Sequence, residues 1–461
     1  MSSFLRLLCV LGAVVIAAAS RRARADSGVG ETGHEAATPS ASSATELASM
    51  RAELARQGRE LEALEARETE RARLPVFRLS GYTQVDFTPY HQLSQNELNL
   101  STGTPLNQNR FNLRRARLRV EAERGVLSSV FELDANTNSG LQVRPTDAEI
   151  GLRWPEHPNP NLPSLSVSAG LIRIPFGFEV PELDSVRPFL ERSTFASALF
   201  PGQIDLGIRL RGQFRFVDLA VAVMNGSPIG ARVFPALSPV AHKDLVGRLG
   251  VSTELLTGVA IRVGISADTG RGLHPGTPTT KDRLVWRDDN GDGLVQSSEV
   301  QVIPGTSATP SQEFQRFALG ADASVALRWA PDAELNLCAE VVQASNLDRG
   351  LEVADPVSAG YDVREFGWYV RVTQEITRWG LLGVRYDRYD PDADASEQSA
   401  AQLVPRDRSY STLALLGMLR YESARLAFEY DLNRNQLGRD SSGAPTNLKS
   451  DSFTVRAQVK F

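Results

Sequence analysis

Apolar and polar residues alternate at a period of two along Asp451–Phe461: Phe453, Val455, Ala457, Val459 and Phe461 take one side, Ser452, Thr454, Arg456, Gln458 and Lys460 the other. Successive side chains of a strand point to opposite faces, so one face would meet lipid and the other a wet interior. A soluble sheet edge shares that pattern, but here it recurs along the chain. From Val76 onward sixteen strand candidates can be cut, among them Val76–Tyr90, Asn109–Glu123 as the second and Ile204–Phe216 as the sixth. Tight links such as Glu123-Arg124-Gly125, Leu256-Thr257-Gly258 and Trp379-Gly380 alternate with loops many times longer. An even strand number with short turns at one end and long loops at the other is what a membrane barrel requires, and an open edge in lipid would leave backbone groups unpaired. The expectation is an all-β fold: a 16-stranded antiparallel transmembrane β-barrel over residues 75–461, preceded by a short N-terminal coiled-coil helix.

The residues before the barrel divide in three. An apolar run from Leu7 to Ala19 follows Arg6. It is shorter than the roughly 20 residues that span a bilayer, so residues 1–25 read as a secretory signal peptide, with cleavage after Ala19 or Ala25. Residues 26–44 are rich in Gly, Ser, Thr and Ala, as a flexible linker is. In residues 45–74, Leu47, Met50, Leu54, Gln57, Leu61, Leu64 and Glu68 fall on heptad a and d positions, interrupted by Gly58. That narrow stripe predicts self-association as a coiled coil, the alternative being a single solvated helix. The terminal Phe461 resembles the end signal that barrel-insertion machinery reads. Together these features predict the outer membrane of a Gram-negative bacterium, with the helix in the periplasm.

Composition fits this picture. A mean hydropathy of −0.22 suits a barrel, where only alternate residues meet lipid. If Cys9 leaves with the signal, Cys338 remains alone and no internal disulfide forms. The formal charge of −5, with no dominant basic patch, argues against nucleic acid as a partner. Only Lys243, Lys281, Lys449 and Lys460 are lysines among 50 basic residues, so arginine supplies nearly all the positive charge.

Phase places much of that arginine inside. With Leu118, Val120 and Ala122 toward lipid, Arg115, Arg117 and Arg119 point inward, while Phe111 and Leu113 are out of phase and predict a β-bulge. On the sixth strand Ile204, Leu206, Ile208, Leu210, Phe214 and Phe216 would face out and Arg209, Arg211 and Arg215 in. Arg173, Arg248, Arg262 and Arg371 join the inward set. Such a wall would concentrate anions, and guanidinium forks suit phosphate or carboxylate. Glu132, Asp134, Asp147 and Glu149 share the lumen, however, and facing rows of acid and base would give a general diffusion pore with little net preference. The long, proline-punctuated stretch 176–203 carries Phe189, Leu190, Phe195, Leu199 and Phe200, too apolar for a loop in water. It is expected to fold inward as the constriction, the alternative being an external loop packed on a neighbouring subunit.

The runs Asn112–Val120, Gly170–Gly177, Phe189–Arg192, Asp205–Ile208 and Met224–Gly226, in this order and spacing, resemble the phosphate-selective porin O and P family over most of the chain after Pro75. The resemblance implies a homotrimer of sixteen-stranded barrels, an arginine-lined pore and a short N-terminal coiled coil. The chain departs from the family in carrying Ile204 where a basic residue is expected before Asp205. Passive diffusion of small hydrophilic solutes, anions such as phosphate among them, is the expected function. A sealed barrel serving as a structural or adhesion anchor is the rival.

Two further features bear on function. Within the external loop 269–314, Asp288 to Glu299 satisfies every position of the twelve-residue calcium loop. Oxygens of Asp288, Asn290, Asp292, the Leu294 carbonyl, Gln296 and Glu299 would surround Ca2+ on a hairpin, the alternative being an acidic turn without metal. An enzyme is not expected, because His34, His91, His157, His242 and His274 stand apart from any nucleophile motif.

Overall fold

The computed structural model describes residues 52–53, 55–57, 59–60, 75–89, 109–138, 140–155, 162–231, 240–399, 402–436, 438–439, 445–447 and 450–461. The chain divides into two compact units, Met1–Glu70 and Arg71–Phe461. In the first, the described residues are helical and Arg56 donates to Glu53 at 3.1 Å, an i,i+3 pair. The expected signal, the linker and every heptad position except Gln57 lie outside the described residues.

The second unit is a closed antiparallel barrel of sixteen strands in sequence order. The strands are β1 (Val76–Thr88), β2 (Arg110–Arg124), β3 (Leu127–Asn136), β4 (Gln142–Trp154), β5 (Ser164–Arg173), β6 (Ile204–Phe214), β7 (Val217–Met224) and β8 (Asp244–Leu256). They continue with β9 (Val259–His274), β10 (Gln312–Ala330), β11 (Ala333–Ser345), β12 (Arg364–Thr377), β13 (Gly380–Asp390), β14 (Tyr410–Tyr421), β15 (Ala424–Arg434) and β16 (Ser452–Lys460). Closure is made by β1 against β16, where Tyr82 pairs with Lys460 and Phe87 with Val455. The two-residue alternation is plain on β13: Leu381, Gly383, Arg385, Asp387 and Tyr389 are buried while Leu382, Val384, Tyr386 and Arg388 are exposed. Around the barrel the exposed phase is largely apolar, including Leu118, Ile150, Leu206, Ile265, Val384 and Leu415.

Two irregularities interrupt the ladders of β1–β4. Between β1 and β2 the register slips at Gln84 and Val85, which leaves Arg114 as an extra residue, the bulge that the phase of Phe111 and Leu113 predicts. Between β3 and β4 a second slip leaves Thr146 extra beside Glu132.

The barrel corrects the sequence at the end of the sixth strand. β6 stops at Phe214, and Arg215 sits in the turn to β7 with φ +53°. Its guanidinium lies 5.4 Å from the Phe214 ring, so Arg215 is an exposed turn residue and not part of the lumen wall. A two-residue link leaves no room for strand phase. Ile204 is buried and not outward-facing, because the segment after β7 crosses it and Ile229 N donates to its carbonyl. The long loops are lengthened by small hairpins, one of which pairs Arg283–Trp286 with Val300–Ile303 around the calcium-like sequence.

Candidate functional site: a segment inside the barrel

The link from β5 to β6, residues 174–203, touches strands from every side of the barrel. Asp184 pairs with Arg117 of β2 at 2.9 Å, Glu182 with Arg371 of β12 at 3.0 Å, and Glu191 with Arg456 of β16 at 2.8 Å. Leu190 N donates to Glu429 of β15 and Thr194 N to Asp387 of β13, at 2.9 and 3.1 Å. Gly177 N donates to Ser266 of β9 at 2.9 Å. Contacts with strands so far apart round the ring are possible only from within it. Irregular backbone at that depth keeps its polar groups satisfied through these bonds.

The apolar side chains of the segment are seated on strand glycines. Phe176 lies against Gly320 of β10, Phe195 against Gly367 of β12, and Phe189 against Gly383 of β13. All three glycines lie on the lumen phase of their strands, and a Cβ on any of them would crowd an aromatic ring. The one helix of the segment, α1 (Thr194–Leu199), buries Phe195, Ala196, Ala198 and Leu199. With Ile172, Phe200, Met224, Val342 and Tyr369 these make a hydrophobic core inside the barrel. Part of the lumen is therefore packed solid.

Asp184 is the charged centre of the segment. Its carboxylate lies 2.6 Å from Arg192, 2.8 Å from Arg187, 2.9 Å from Arg117 and 3.6 Å from Arg115. Burial alone would raise this carboxyl, but the four guanidiniums hold it well below the usual carboxylate range. A depressed folded-state value means that its contribution to stability is present above about pH 3.9 and is lost only as pH falls through that lower value. The β2 bulge lets two consecutive arginines share one partner: Arg114 grips Glu191 through two bonds of 2.7 Å while Arg115 reaches it at 3.2 Å.

Three cavities lie between this segment and the wall that runs from β16 through β1 to β8. One of about 300 Å³, toward the long-loop end, is lined by Arg114, Arg115, Arg117, Arg144 and Arg192 against Asp134, Asp184 and Glu191. A second, of about 500 Å³ toward the short-turn end, shares Arg117 and Asp184 with the first. A third, of about 450 Å³, shares Pro181 and Arg211 with the second and reaches Arg248 and Asp218.

The residues singled out by phase fall as follows. Arg115, Arg117 and Arg119 border these cavities but are committed to acids, Arg117 to Glu132 at 3.2 Å and Arg119 to Asp147 at 2.9 Å. Arg117 also lies 3.6 Å from Asp134, and Arg209 meets Glu149 at 2.7 Å. Arg173 and Arg211 line the second cavity. Arg248 joins Asp218 and Asp322 at 2.9 and 2.6 Å. Arg262 is exposed near the short-turn end of β9, and Arg371 is consumed in holding Glu182. Phase alone does not find Asp184, Glu191, Glu179 and Arg192, which lie in irregular chain. The mid-strand lumen-phase glycines signal that something packs on them, and so point to the segment but not to its charged residues.

The calcium-like loop has left-handed Gly291 and Gly293, with φ +75° and +71°. Asp288 accepts from Gly291 N and Gly293 N at 2.6 and 2.8 Å, Asp292 from Leu294 N at 2.7 Å and Gln296 Nε2 at 2.5 Å. Buried Glu299 accepts from Asp289 N and from the Trp286 indole, each at 3.2 Å. Its carboxylates therefore serve backbone and side-chain donors, and among the described residues no three His, Cys, Asp or Glu side chains converge as a metal site. Elsewhere, Ser358, His274 and Asp355 group in the outer loops. Both Ser358 Oγ and Asp355 approach the same His274 nitrogen, and Asp355 caps the short helix α2 (Pro356–Ala359). That is a cap and not a proton relay.

No protein family matches the chain, and no curated protein matches it either. Solved structures that resemble it include the outer membrane channel DcaP of Acinetobacter baumannii, at 10% identity, 84% of this chain, 97% of that one and a TM-score of 0.48. An anion-selective porin from Comamonas acidovorans gives 10%, 84%, 99% and 0.48. Salmonella typhi OmpF, in complex with daunomycin, gives 11%, 84%, 97% and 0.45. Likeness this distant carries no argument about solute or assembly, and the topology rests on the strand register itself.

Substituting Gly367→Val places a Cβ 2.5 Å from that of Phe195. Overpacking of this kind costs about 1–3 kcal/mol, which should unseat α1 and raise single-channel conductance in a planar bilayer. Conductance equal to that of the unsubstituted protein would show that α1 does not depend on this glycine.

Proposed function

We propose that the protein is an outer-membrane channel through which small hydrophilic solutes diffuse passively, with a preference for anions. The observation that carries this is the series of three cavities between the inner segment and the wall from β16 through β1 to β8, neighbours through shared lining residues. The band of exposed apolar side chains around a closed barrel suits lipid and not water. The inner segment acts as the constriction. It is seated by an apolar core and by ion pairs to β2, β12 and β16, so solutes pass beside a fixed obstruction. Anion preference follows from the first cavity, where five arginines face three carboxylates. Fixed positive charge at a narrow point lowers the barrier for anions and raises it for cations. Phosphate selectivity, a homotrimer and membrane insertion through the terminal Phe461 are carried by the family resemblance and belong to this proposal with it.

The test is the zero-current potential of the purified protein in a planar bilayer under a KCl gradient. Anion selectivity is expected, and Arg144→Glu, which reverses one charge in the first cavity, should move the potential toward cations. Cation selectivity of the unsubstituted channel would refute the preference, and absence of conductance would favour a sealed anchor.

Calcium at the Asp288–Glu299 loop is a separate proposal, supported by the order of its oxygen donors and by glycine at the turn. Binding would draw Glu299 from the Trp286 indole, so calcium at about 10⁻⁴–10⁻³ M should change the Trp286 emission. No difference between the titrations of the unsubstituted protein and of Trp286→Phe would remove calcium from the account.

A further inference from the structure

The second cavity differs from the first in charge and in what its side chains leave unused. Six cationic residues and five carboxylates line it, close to balance. Four of its charged side chains are more than nine-tenths buried and still carry a polar atom with no hydrogen-bond partner: Arg173 Nη2, Arg209 Nε, Asp147 Oδ1 and Arg117 Nε, the last 3.6 Å from Asp134. Arg173 Nη2 stands 4.0 Å from Glu132, beyond hydrogen-bond reach. Arg209 gives one nitrogen to Glu149 at 2.7 Å and another to the Arg173 carbonyl at 3.2 Å, leaving Nε over. Asp147 takes Arg119 on Oδ2 at 2.9 Å, which leaves Oδ1 over.

Buried polar atoms without partners are costly, on the order of 1–3 kcal/mol each and more for charged groups, and such atoms collect where something else completes them. Three unused guanidinium donors, two of them on Arg173 and Arg209, and one unused carboxylate acceptor in a single chamber call for a solute that both accepts and donates. A plain anion would satisfy Arg173 and Arg209 but meet Glu132, Glu149 and Asp147 as like charges. A plain cation would meet the reverse. From this we infer that the second cavity is a recognition site for small zwitterions, compounds of the α-amino acid type. The carboxylate of such a solute is received by Arg173 and Arg209 and its ammonium by Asp147. This deepens the channel proposed above and rests on it: the first cavity sets the preference among simple ions, and the second selects organic solutes that carry both charges.

The experiment is block of single-channel KCl current by zwitterionic L-alanine, compared with its two halves, propionate and ethylammonium. Alanine should block at a concentration lower by about tenfold than either half, a difference worth about 1.4 kcal/mol. Arg173→Gln and, independently, Asp147→Asn should each weaken alanine block toward the level of the half-molecules. Equal block by propionate would overturn the inference in favour of a simple anion site. KCl current untouched by any of the three would overturn it with the channel intact, and no KCl current would remove the channel and this site together.

Discussion

A single carboxylate, that of Asp184, lies within 4 Å of four guanidiniums, two from its own segment and two from the wall of β2. A buried charge is tolerated only when it is paired and hydrogen-bonded, and here the pairing runs both ways. Arg187 and Arg192 fold the segment on itself by also binding the carbonyls of Phe189, Leu190, Glu179 and Glu182. Arg115 and Arg117 tie that fold to the barrel. Losing one partner from such a cluster leaves the others buried and uncompensated, a cost of about 3–5 kcal/mol. The position of the segment, and with it the shape of the lumen, hangs on this cluster.

The remainder of the lumen follows from how the two halves of the wall are furnished. Toward β10, β12 and β13 the inward phase offers glycines, and the aromatic rings of the segment fill them. Three phenylalanines and α1 pack there, and the charged groups of the same wall, Arg371 and Asp387, are taken up by Glu182 and Thr194, so this side closes. Toward β2–β6 the inward phase is ionic, and ion pairs along a hydrated wall leave space between them. The same segment thus seals one side of the barrel by packing and borders an open path on the other by charge. The arginines that sequence would count as selectivity elements are mostly spent on this construction.

The barrel was legible because its physics is local: a period of two, tight links and an even number of strands can be read without knowing what touches what. Even the bulge at Arg114 shows in the phase break at Phe111 and Leu113. Arg215 was misplaced because strand phase was carried two residues too far, into a turn with a left-handed residue. The charge state of the lumen was legible only by residue type. That Arg371 holds Glu182 and Arg456 holds Glu191 depends on contacts more than 180 positions apart, which no periodicity encodes. The apolarity of 176–203 did indicate that it needed cover, and the glycines that supply it could have been recognised by phase. The carboxylates that anchor it could not.

Residues 174–203 lie inside the barrel, where Arg187 and Arg192 are 1% and 7% exposed. The most direct measurement is limited trypsin digestion of the protein folded in lipid vesicles, with cleavage sites read by mass spectrometry. Arginines in the exposed outer loops, such as Arg287, should be cut while the bond between Arg192 and Ser193 stays intact until the barrel is unfolded. Cleavage after Arg192 in the folded barrel would place the segment outside it.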